Sequence, residues 1–222
     1  MSASSERARI DPAVRDLITA TLVADALDAI GYRDQCLSPT IAPLDPGMRL
    51  LGRAFTVVVE VATEVPAEPY IGLLKALDAL GRDHIYVIPT GGDMRAAMWG
   101  ELVATSARAR GAVGAITDGA IRDTRQLSDA RFPTFAAAHT PRDIHGRFDV
   151  TAHQVPVEIG GISVQPEDLI VGDRDGVVVV PADVESDVIA AALTKARTEN
   201  TVRDELAAGT LPSEAFARHG VL

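Results

Sequence analysis

The chain has 222 residues, 47% hydrophobic and 23% charged, which is ordinary for a soluble globular protein and enough for one large domain with a sizeable core. Its net charge of −10 and its lack of any Lys/Arg run argue against nucleic acid binding, which needs a concentrated basic face. The sequence has no apolar run long enough to span a bilayer and no secretory signal, so we expect a cytoplasmic protein without membrane contact. Cys36 is the single cysteine, which excludes an intramolecular disulfide and a cysteine-based zinc site.

Hydrophobic periodicity and turn residues predict an alternation of helices and strands. Residues 1–10 are polar and expected to be flexible, and Asp11 before Pro12 is typical of a helix start. In chain order, the further predicted elements are a helix over 21–30, strands over 54–61 and 84–89 around a helix over 70–80, a helix over 99–110, a strand over 112–117, a helix from 122 to about 130, strands over 134–137, 155–159, 162–164, 169–171 and 177–180, a helix capped by Asp183 that ends near 208, and a helix over 212–218.

This order predicts one mixed α/β domain over residues 1–222. The middle of the chain alternates strand and helix, which favours parallel strands joined by helical crossovers. Residues 150–181 form a run of short strands, which favours an antiparallel part. Residues 183–222 are expected to form a C-terminal helical segment.

The most informative stretch is WGELVATSARARGAVGAITDGAIRD, which ends at Asp123. Glu101 opens a helical segment, and Arg122 with Asp123 follows a strand predicted to end at Asp118 and Gly119. Open α/β sheets place ligands at such strand ends. A cation beside a carboxylate can bind an anionic oxygen together with a hard divalent metal, which suits chemistry on an α-keto acid.

Simpler interpretations of the same residues remain open. Asp123 is suited to cap a helix beside a surface Arg122, and Glu101 in a first helical turn is favoured by the helix dipole alone. Gly91 and Gly92 after a strand indicate, weakly, a backbone site for an anion. The sequence contains no P-loop, no GxGxxG after a strand and no HExxH.

Several runs together resemble a known family. MRAAMWGELVATSARARGAVGAITDGAIRDTRQL is similar to the family that contains the regulator of ribonuclease activity A and the 4-hydroxy-4-methyl-2-oxoglutarate aldolases, some labelled dimethylmenaquinone methyltransferase. TLVADALDAIG, LLGRAFTV, RFPTFA and GGISVQPEDLIVGDRDGVVVVP extend the resemblance over most of the chain. It implies an α/β layered sandwich with a mixed sheet, related to swivelling β/β/α domains and assembled as homotrimers or homohexamers.

The resemblance also implies roles for the acids and the arginine. The family's aldolases carry an acid, twenty intervening residues and then Arg-Asp, and Glu101 with Arg122 and Asp123 has this spacing. Glu101 stands where the better-known aldolases have Asp. By resemblance, Asp123 would hold Mg²⁺ or Mn²⁺, Arg122 would contact the keto or enolate oxygen of a pyruvyl unit, and Glu101 would orient or deprotonate a metal-bound water.

Further positions follow from the same resemblance. The backbone amides of Leu102 and Val103, at the helix start after Gly100, would bind the substrate carboxylate. Gly92 would line the same pocket. Glu199 is the best positional match to a glutamate that a neighbouring subunit contributes in the aldolases.

Three functions are compatible with these observations. The leading hypothesis is a class II, metal-dependent pyruvate aldolase that cleaves 4-hydroxy-4-methyl-2-oxoglutarate or a related 2-oxo acid and decarboxylates oxaloacetate, both through a pyruvate enolate. The alternative is a non-catalytic, protein-binding regulator of a ribonuclease. A third is metal-dependent activity on another keto or sugar acid. It stays open because substrate selectivity is expected to lie in the loops at 61–70 and 137–153.

Overall fold

A nine-stranded mixed sheet forms the centre of the computed structural model, which describes residues 12–221. The elements are α1 (Pro12–Leu17), α2 (Ala20–Ala29), β1 (Ala42–Pro43), β2 (Leu50–Val61), α3 (Ile71–Ala79), β3 (His84–Ile88), β4 (Ala97–Trp99), α4 (Glu101–Ala109), β5 (Gly114–Ile121), α5 (Thr124–Asp129), β6 (Thr134–His139), β7 (Phe148–His153), β8 (Val157–Ile159), β9 (Ile162–Val164), β10 (Leu169–Asp173), β11 (Gly176–Val180), α6 (Glu185–Ala207) and α7 (Pro212–His219). The expected flexible segment 1–10 and the cap at Asp11 lie outside the described residues.

The middle of the sheet is parallel and its remaining pairs are antiparallel. β3 pairs in parallel with β2 and β5, and β5 also pairs in parallel with β4 and β6. α3, α4 and α5 are the crossover helices, which confirms the predicted alternation. β10 pairs antiparallel with both β2 and β11, and β8 with β9, which confirms the antiparallel C-terminal part.

The central strands are apolar on both faces because both faces are covered. On one face, Phe55 of β2 and Tyr86 of β3 pack with α3, α4 and α5. On the other face, Ala54 and Ile85, their neighbours in sequence, belong to a second core cluster. A third cluster joins α2 and α6 to β10 and β11. These layers confirm the α/β sandwich with a mixed sheet.

Several predicted boundaries near the site were wrong. Trp99 ends β4 instead of beginning a helix, and α4 starts after Gly100. β5 continues past Asp118 to Ile121, with an irregular register between Thr117 and Ala120 of its pairing with β6. Gly119 in TDGAI was predicted to end the strand, but pairing with β4 on one side and with β6 on the other continues the strand to Ile121.

Two further expectations needed correction. β7 lies in segment 137–153, which was interpreted as a loop, and it pairs antiparallel with the end of β2. Its alternating apolar residues, Phe148 and Val150, span too few positions to stand out. Asp183 does not cap α6, which begins at Glu185 after Val184 without a side-chain cap.

Within residues 12–221, no helix is both long enough and apolar enough to cross a membrane.

Candidate active site

The ends of β4 and β5 bring two separate turns together. Trp99 lies opposite Ile121 in the parallel pair, so the residues that follow each strand are neighbours. The Arg122 amide donates to the Trp99 carbonyl at 2.9 Å. The Glu101 amide donates to Asp123 Oδ2 at 3.1 Å. Residues more than twenty positions apart are therefore fixed at one end of the sheet.

Gly100 allows this close approach. Its backbone is extended, so its φ would suit any residue. The space around it would not, because a Cβ atom there would lie 2.7 Å from Asp123 Oδ2 and 3.0 Å from Arg122 Cγ. Glycine at this position therefore keeps the start of α4 against the arginine and the acid.

The Asp123 side chain does not cap α5, the helix that follows it. Asp123 occupies the N-cap position of α5, but its side chain makes no capping hydrogen bond to that helix. Its backbone lies in the left-handed region at φ 55°, which Asp tolerates better than most residues. Its Oδ2 accepts from Glu101 of another helix, and within residues 12–221 no hydrogen bond engages Oδ1. One carboxylate oxygen thus remains open to a ligand.

Arg122 is held by a second acid that sequence analysis missed. Its Nη1 lies 2.7 Å from Asp143 Oδ2, and its Nε lies 3.8 Å from Asp123 Oδ2. Asp143 Oδ1 also accepts from the Tyr70 hydroxyl at 2.8 Å and from the His145 amide at 2.7 Å. Tyr70 itself adopts a left-handed φ of 66°, which is costly for a bulky residue and is typical of functional sites.

The protonation states of Asp143 and Tyr70 favour a fixed orientation of the Arg122 guanidinium. Burial alone would raise the pKa of Asp143, but hydrogen bonds from the His145 amide, the Tyr70 hydroxyl and the neighbouring guanidinium outweigh it. The pKa of Asp143 therefore lies below its ordinary value. The hydrogen bond to Asp143, burial and the charge of that carboxylate raise the pKa of Tyr70 above its ordinary value. At neutral pH, Tyr70 is a donor and Asp143 an anion.

A cavity of about 400 Å³ opens beside these residues. Its walls come from α3, from β4 and the start of α4, and from Tyr70, Arg122, Asp123 and Asp143. Leu102 and Val103 of the first turn of α4 also line it. The first amides of a helix have no partner within the helix. The Glu101 amide donates to Asp123, whereas within residues 12–221 no hydrogen bond engages the amides of Leu102 and Val103. The cavity thus combines a cation, an open carboxylate oxygen and unpaired amides.

Three of the expected site residues lie elsewhere. The Glu101 carboxylate accepts from Thr105 of its own helix at 3.2 Å and does not line the cavity formed by the described residues. Gly92 also lies outside this lining, and its amide donates to Asp118 Oδ2 at 3.2 Å. Glu199 is on α6, 3.9 Å from Lys195. A role for Glu199 in a neighbouring subunit stays a prediction.

Asp118 stabilises the turn after β3 and accepts a hydrogen bond from the Gly92 amide. Its Oδ1 accepts from the amide and the hydroxyl of Thr90, at 2.6 Å and 3.0 Å. It therefore fixes the turn after β3. The anion site considered at Gly91 and Gly92 consequently already holds an internal carboxylate.

Comparison with known proteins places the chain in a family. Residues 19–179 match the family model described as RraA-like, Aldolase/RraA. The chain belongs to the RraA-like family. A Halalkalibacterium halodurans relative, provisionally named 4-hydroxy-4-methyl-2-oxoglutarate aldolase, is 34% identical over 178 residues, which are 80% of each chain.

Other similar proteins differ in length and in name. Protein DlpA of Legionella pneumophila is 27% identical over 193 residues, 87% of this chain, but the match spans 31% of DlpA. The crystal structure of Streptomyces coelicolor RraAS2, described as an unusual member of the RNase ES inhibitor RraA family, has a TM-score of 0.79 and 24% identity. That match covers 89% of this chain and 100% of RraAS2, and it supports the fold.

Proposed function

We propose that this protein is a divalent-metal-dependent lyase that cleaves a carbon–carbon bond beside a pyruvyl unit. One observation carries the proposal: Arg122, Asp123 and the first turn of α4, whose Leu102 and Val103 amides have no hydrogen-bond partner within residues 12–221, line one cavity. The provisional aldolase name of the Halalkalibacterium relative supports it. Retro-aldol cleavage of 4-hydroxy-2-oxo acids and decarboxylation of oxaloacetate share a pyruvate enolate, so one site serves both reactions.

The first turn of α4 would bind the carboxylate of the pyruvyl unit. The amides of Leu102 and Val103 are the donors at this end, and the positive end of the helix dipole favours an anion there. Such amides are fixed by the fold, so they need no reorganisation when substrate binds. They would leave the keto oxygen beside Arg122.

Arg122 would stabilise the charge that develops on that oxygen. In retro-aldol cleavage the C3–C4 bond breaks, its electron pair delocalises onto the C2 oxygen, the C4 hydroxyl loses its proton, and C3 later takes one up. A planar guanidinium already oriented by Asp143 can donate to the oxygen without further ordering.

Asp123 fits a metal that needs few protein ligands. Within residues 12–221 no three His, Cys, Asp or Glu side chains are grouped to hold a metal, which argues against a zinc-type site. Mg²⁺ keeps several waters and accepts one or two carboxylates, as the open Oδ1 of Asp123 would provide. A bound Mg²⁺ or Mn²⁺ would act as a Lewis acid toward the substrate oxygens.

Pyruvate release tests the proposed activity. The protein is incubated with 4-hydroxy-4-methyl-2-oxoglutarate or with oxaloacetate in Mg²⁺ or Mn²⁺, and pyruvate is measured above the rate without protein. We expect pyruvate from both substrates. No release from either, with either metal, would contradict the proposal and favour the regulator as the alternative.

Asp143→Asn should keep Arg122 in the site but remove the charge that orients its guanidinium. We expect kcat/KM for pyruvate formation to fall roughly 100-fold, the scale of a small misplacement of a positioned group. Tyr70→Phe should have a smaller effect in the same direction, because Arg122 keeps its carboxylate partner. Asp129→Asn, at an exposed Asp–Arg pair on α5, is the matched control. If Asp143→Asn has the same kcat/KM as this control, Asp143 has no positioning role.

The pH profile gives a second measurement of Asp143. A carboxyl whose pKa is lowered on folding contributes stability above its unfolded pKa of about 3.9, and this is lost as pH falls through the lowered value. The pair with Arg122 should therefore persist from pH 5 to 8. Thermal unfolding should therefore give the same loss of stability for Asp143→Asn, relative to the unmodified protein, at pH 5 and at pH 8.

Glu101→Gln should lower the rate steeply if this carboxylate takes up a proton during turnover. Loss of a general base costs roughly 100-fold or more, whereas Mn²⁺ affinity should stay within about tenfold. Glu101→Asp should keep substantial activity. Glu214→Gln, also in a first helical turn, controls for loss of a dipole interaction. An unchanged rate in Glu101→Gln would leave only the helix-dipole role.

We also expect a homotrimer or homohexamer of the 23.4 kDa chain, with active sites shared between subunits. This expectation comes from the family resemblance; Leu102 beside the cavity is 78% exposed in the single chain. Light scattering measures the mass directly. An active monomer would contradict this expectation.

A further inference from the structure

The first turn of α3 lies directly on the backbone of β7. Gly72 is the second residue of α3, and a Cβ atom there would overlap the carbonyl oxygen of Val150 and lie 2.7 Å from its carbonyl carbon. Val150 is itself held in the sheet, opposite Val59 of β2. A backbone carbonyl in a strand cannot rotate away as the end of a side chain could. Only glycine at position 72 therefore permits this contact.

The contact at Gly72 determines where Tyr70 lies. Tyr70 occupies the N-cap position of α3, and its carbonyl accepts from the Leu74 amide at 2.8 Å. Residues 70–74 thus form one hydrogen-bonded turn. The Tyr70 hydroxyl donates to Asp143 Oδ1 at 2.8 Å. A displacement of the turn therefore displaces the hydroxyl that binds Asp143.

Asp143 is fixed independently of α3. The carbonyl of Arg142 accepts from the Ala97 amide of β4 at 2.9 Å, and the carbonyl of Asp143 accepts from Arg147 Nη1 at 2.8 Å. Asp143 would therefore stay in place if the first turn of α3 moved. Its hydrogen bond from Tyr70 would break.

We infer that Gly72 is a positioning residue for the proposed lyase, and that it acts on Arg122 through Tyr70 and Asp143. This inference rests on the proposed function and adds to it a contact outside the cavity, whose lining of described residues does not include Gly72. Every contact in this series lies within one chain. The series therefore does not depend on residues that a neighbouring subunit would add.

Gly72→Ala tests the inference. Alanine favours a helix more than glycine does, so helix propensity alone predicts a gain in stability. Its Cβ must lie at least 3.0 Å from the oxygen that it would overlap, so helix and strand must separate by roughly 1 Å or more. A shift of this size removes the Tyr70 hydroxyl from hydrogen-bond range of Asp143. We expect kcat/KM for pyruvate release to fall roughly tenfold, the scale of an outer-shell change.

Gly52→Ala is the matched control. A Cβ atom at Gly52 would lie 2.5 Å from the Asp83 carbonyl oxygen, so this variant is also crowded against backbone, but beside the start of β3 and away from the site. It should lose stability and keep its kcat/KM. Gly72→Ala combined with Tyr70→Phe should lose much less than the product of the two single losses, because both remove one hydrogen bond. Losses that multiply, or equal losses in the two glycine variants, would overturn the inference.

Amide hydrogen exchange tests the same linkage without any change at Gly72, and so decides the question if Gly72→Ala does not fold. If the turn holds Tyr70 on Asp143, that hydrogen bond must in return stabilise the turn. Tyr70→Phe should therefore speed exchange of the Leu74 amide at least roughly fivefold, the scale of one hydrogen bond. Tyr32→Phe, where the ring packs with α2 and α6, should leave this rate unchanged. An unchanged rate in Tyr70→Phe would overturn the inference.

The two measurements separate failure of the inference from failure of the proposed function, because amide exchange needs no turnover. Faster exchange in Tyr70→Phe, without pyruvate release by the unmodified protein from any substrate, would reject the lyase alone. Pyruvate release by folded Gly72→Ala at the rate of the unmodified protein would reject the positioning role alone.

Discussion

Asp123→Asn should abolish nearly all pyruvate formation while the protein remains folded. Asparagine matches aspartate in size, tolerates the left-handed backbone at φ 55° and can still accept from the Glu101 amide. Only the negative charge is lost, and with it the proposed ligand for Mg²⁺ or Mn²⁺. Several kcal/mol of lost charge stabilisation corresponds to roughly a 1,000-fold lower kcat.

Asp129→Asn is the matched control for this variant. Asp129 is on the same short helix, its side chain is 73% exposed, and its partner is Arg125 at 3.8 Å. The same chemical change there should leave turnover unchanged. Circular dichroism and thermal unfolding establish that both variants are folded. Full activity of Asp123→Asn would show that its carboxylate is not part of the site.

Arg122→Lys should fail to restore function although the charge is kept. The guanidinium can face Asp143 and still direct a second N–H toward the keto oxygen of the substrate, whereas an ammonium is a compact point charge without this fork. We expect kcat to fall roughly 100-fold or more, the cost of losing one donor to a developing oxyanion. Steady-state pyruvate release measures this loss.

Arg125→Lys controls for the general effect of the substitution. Its side chain is 91% exposed and lies three residues farther along the chain, so its turnover should match the unmodified protein. Wild-type turnover in Arg122→Lys would instead mean that Arg122 is a surface residue. A loss in both variants would point to an effect on α5 rather than on the site.

Local patterns located Arg122 and Asp123 at a strand end, but not the strand that leads to Glu101. Glu101 and Arg122 follow β4 and β5, and parallel strands bring their carboxyl ends to one edge of the sheet. The sequence did not predict β4, because it has only three residues and its Trp99 was taken as the start of a helix. It could not predict that the Glu101 amide, rather than its carboxylate, contacts Asp123. That detail depends on how closely Gly100 packs.

The residues that orient Arg122 could not be found from sequence. Tyr70 and Asp143 are 73 positions apart, and neither belongs to a motif. They meet because α3 packs against β7, a strand whose short alternation gave too weak a signal. A single sequence carries no record of such long-range contacts. The contact between the Gly92 amide and Asp118 is of the same kind, because Asp118 lies on another strand 26 positions away.

Exchange of the methyl protons of pyruvate in D₂O tests the central claim most directly, because it requires the enolate but no particular group beyond C3. The protein is mixed with pyruvate and Mg²⁺ or Mn²⁺, and deuterium uptake is followed by NMR, with excess EDTA and with Asp123→Asn as comparisons. We predict exchange that stops with EDTA, returns when metal is restored and is absent in Asp123→Asn. Exchange that persists in EDTA or in Asp123→Asn, or no exchange with either metal, would contradict a metal-dependent enolate site at Arg122 and Asp123.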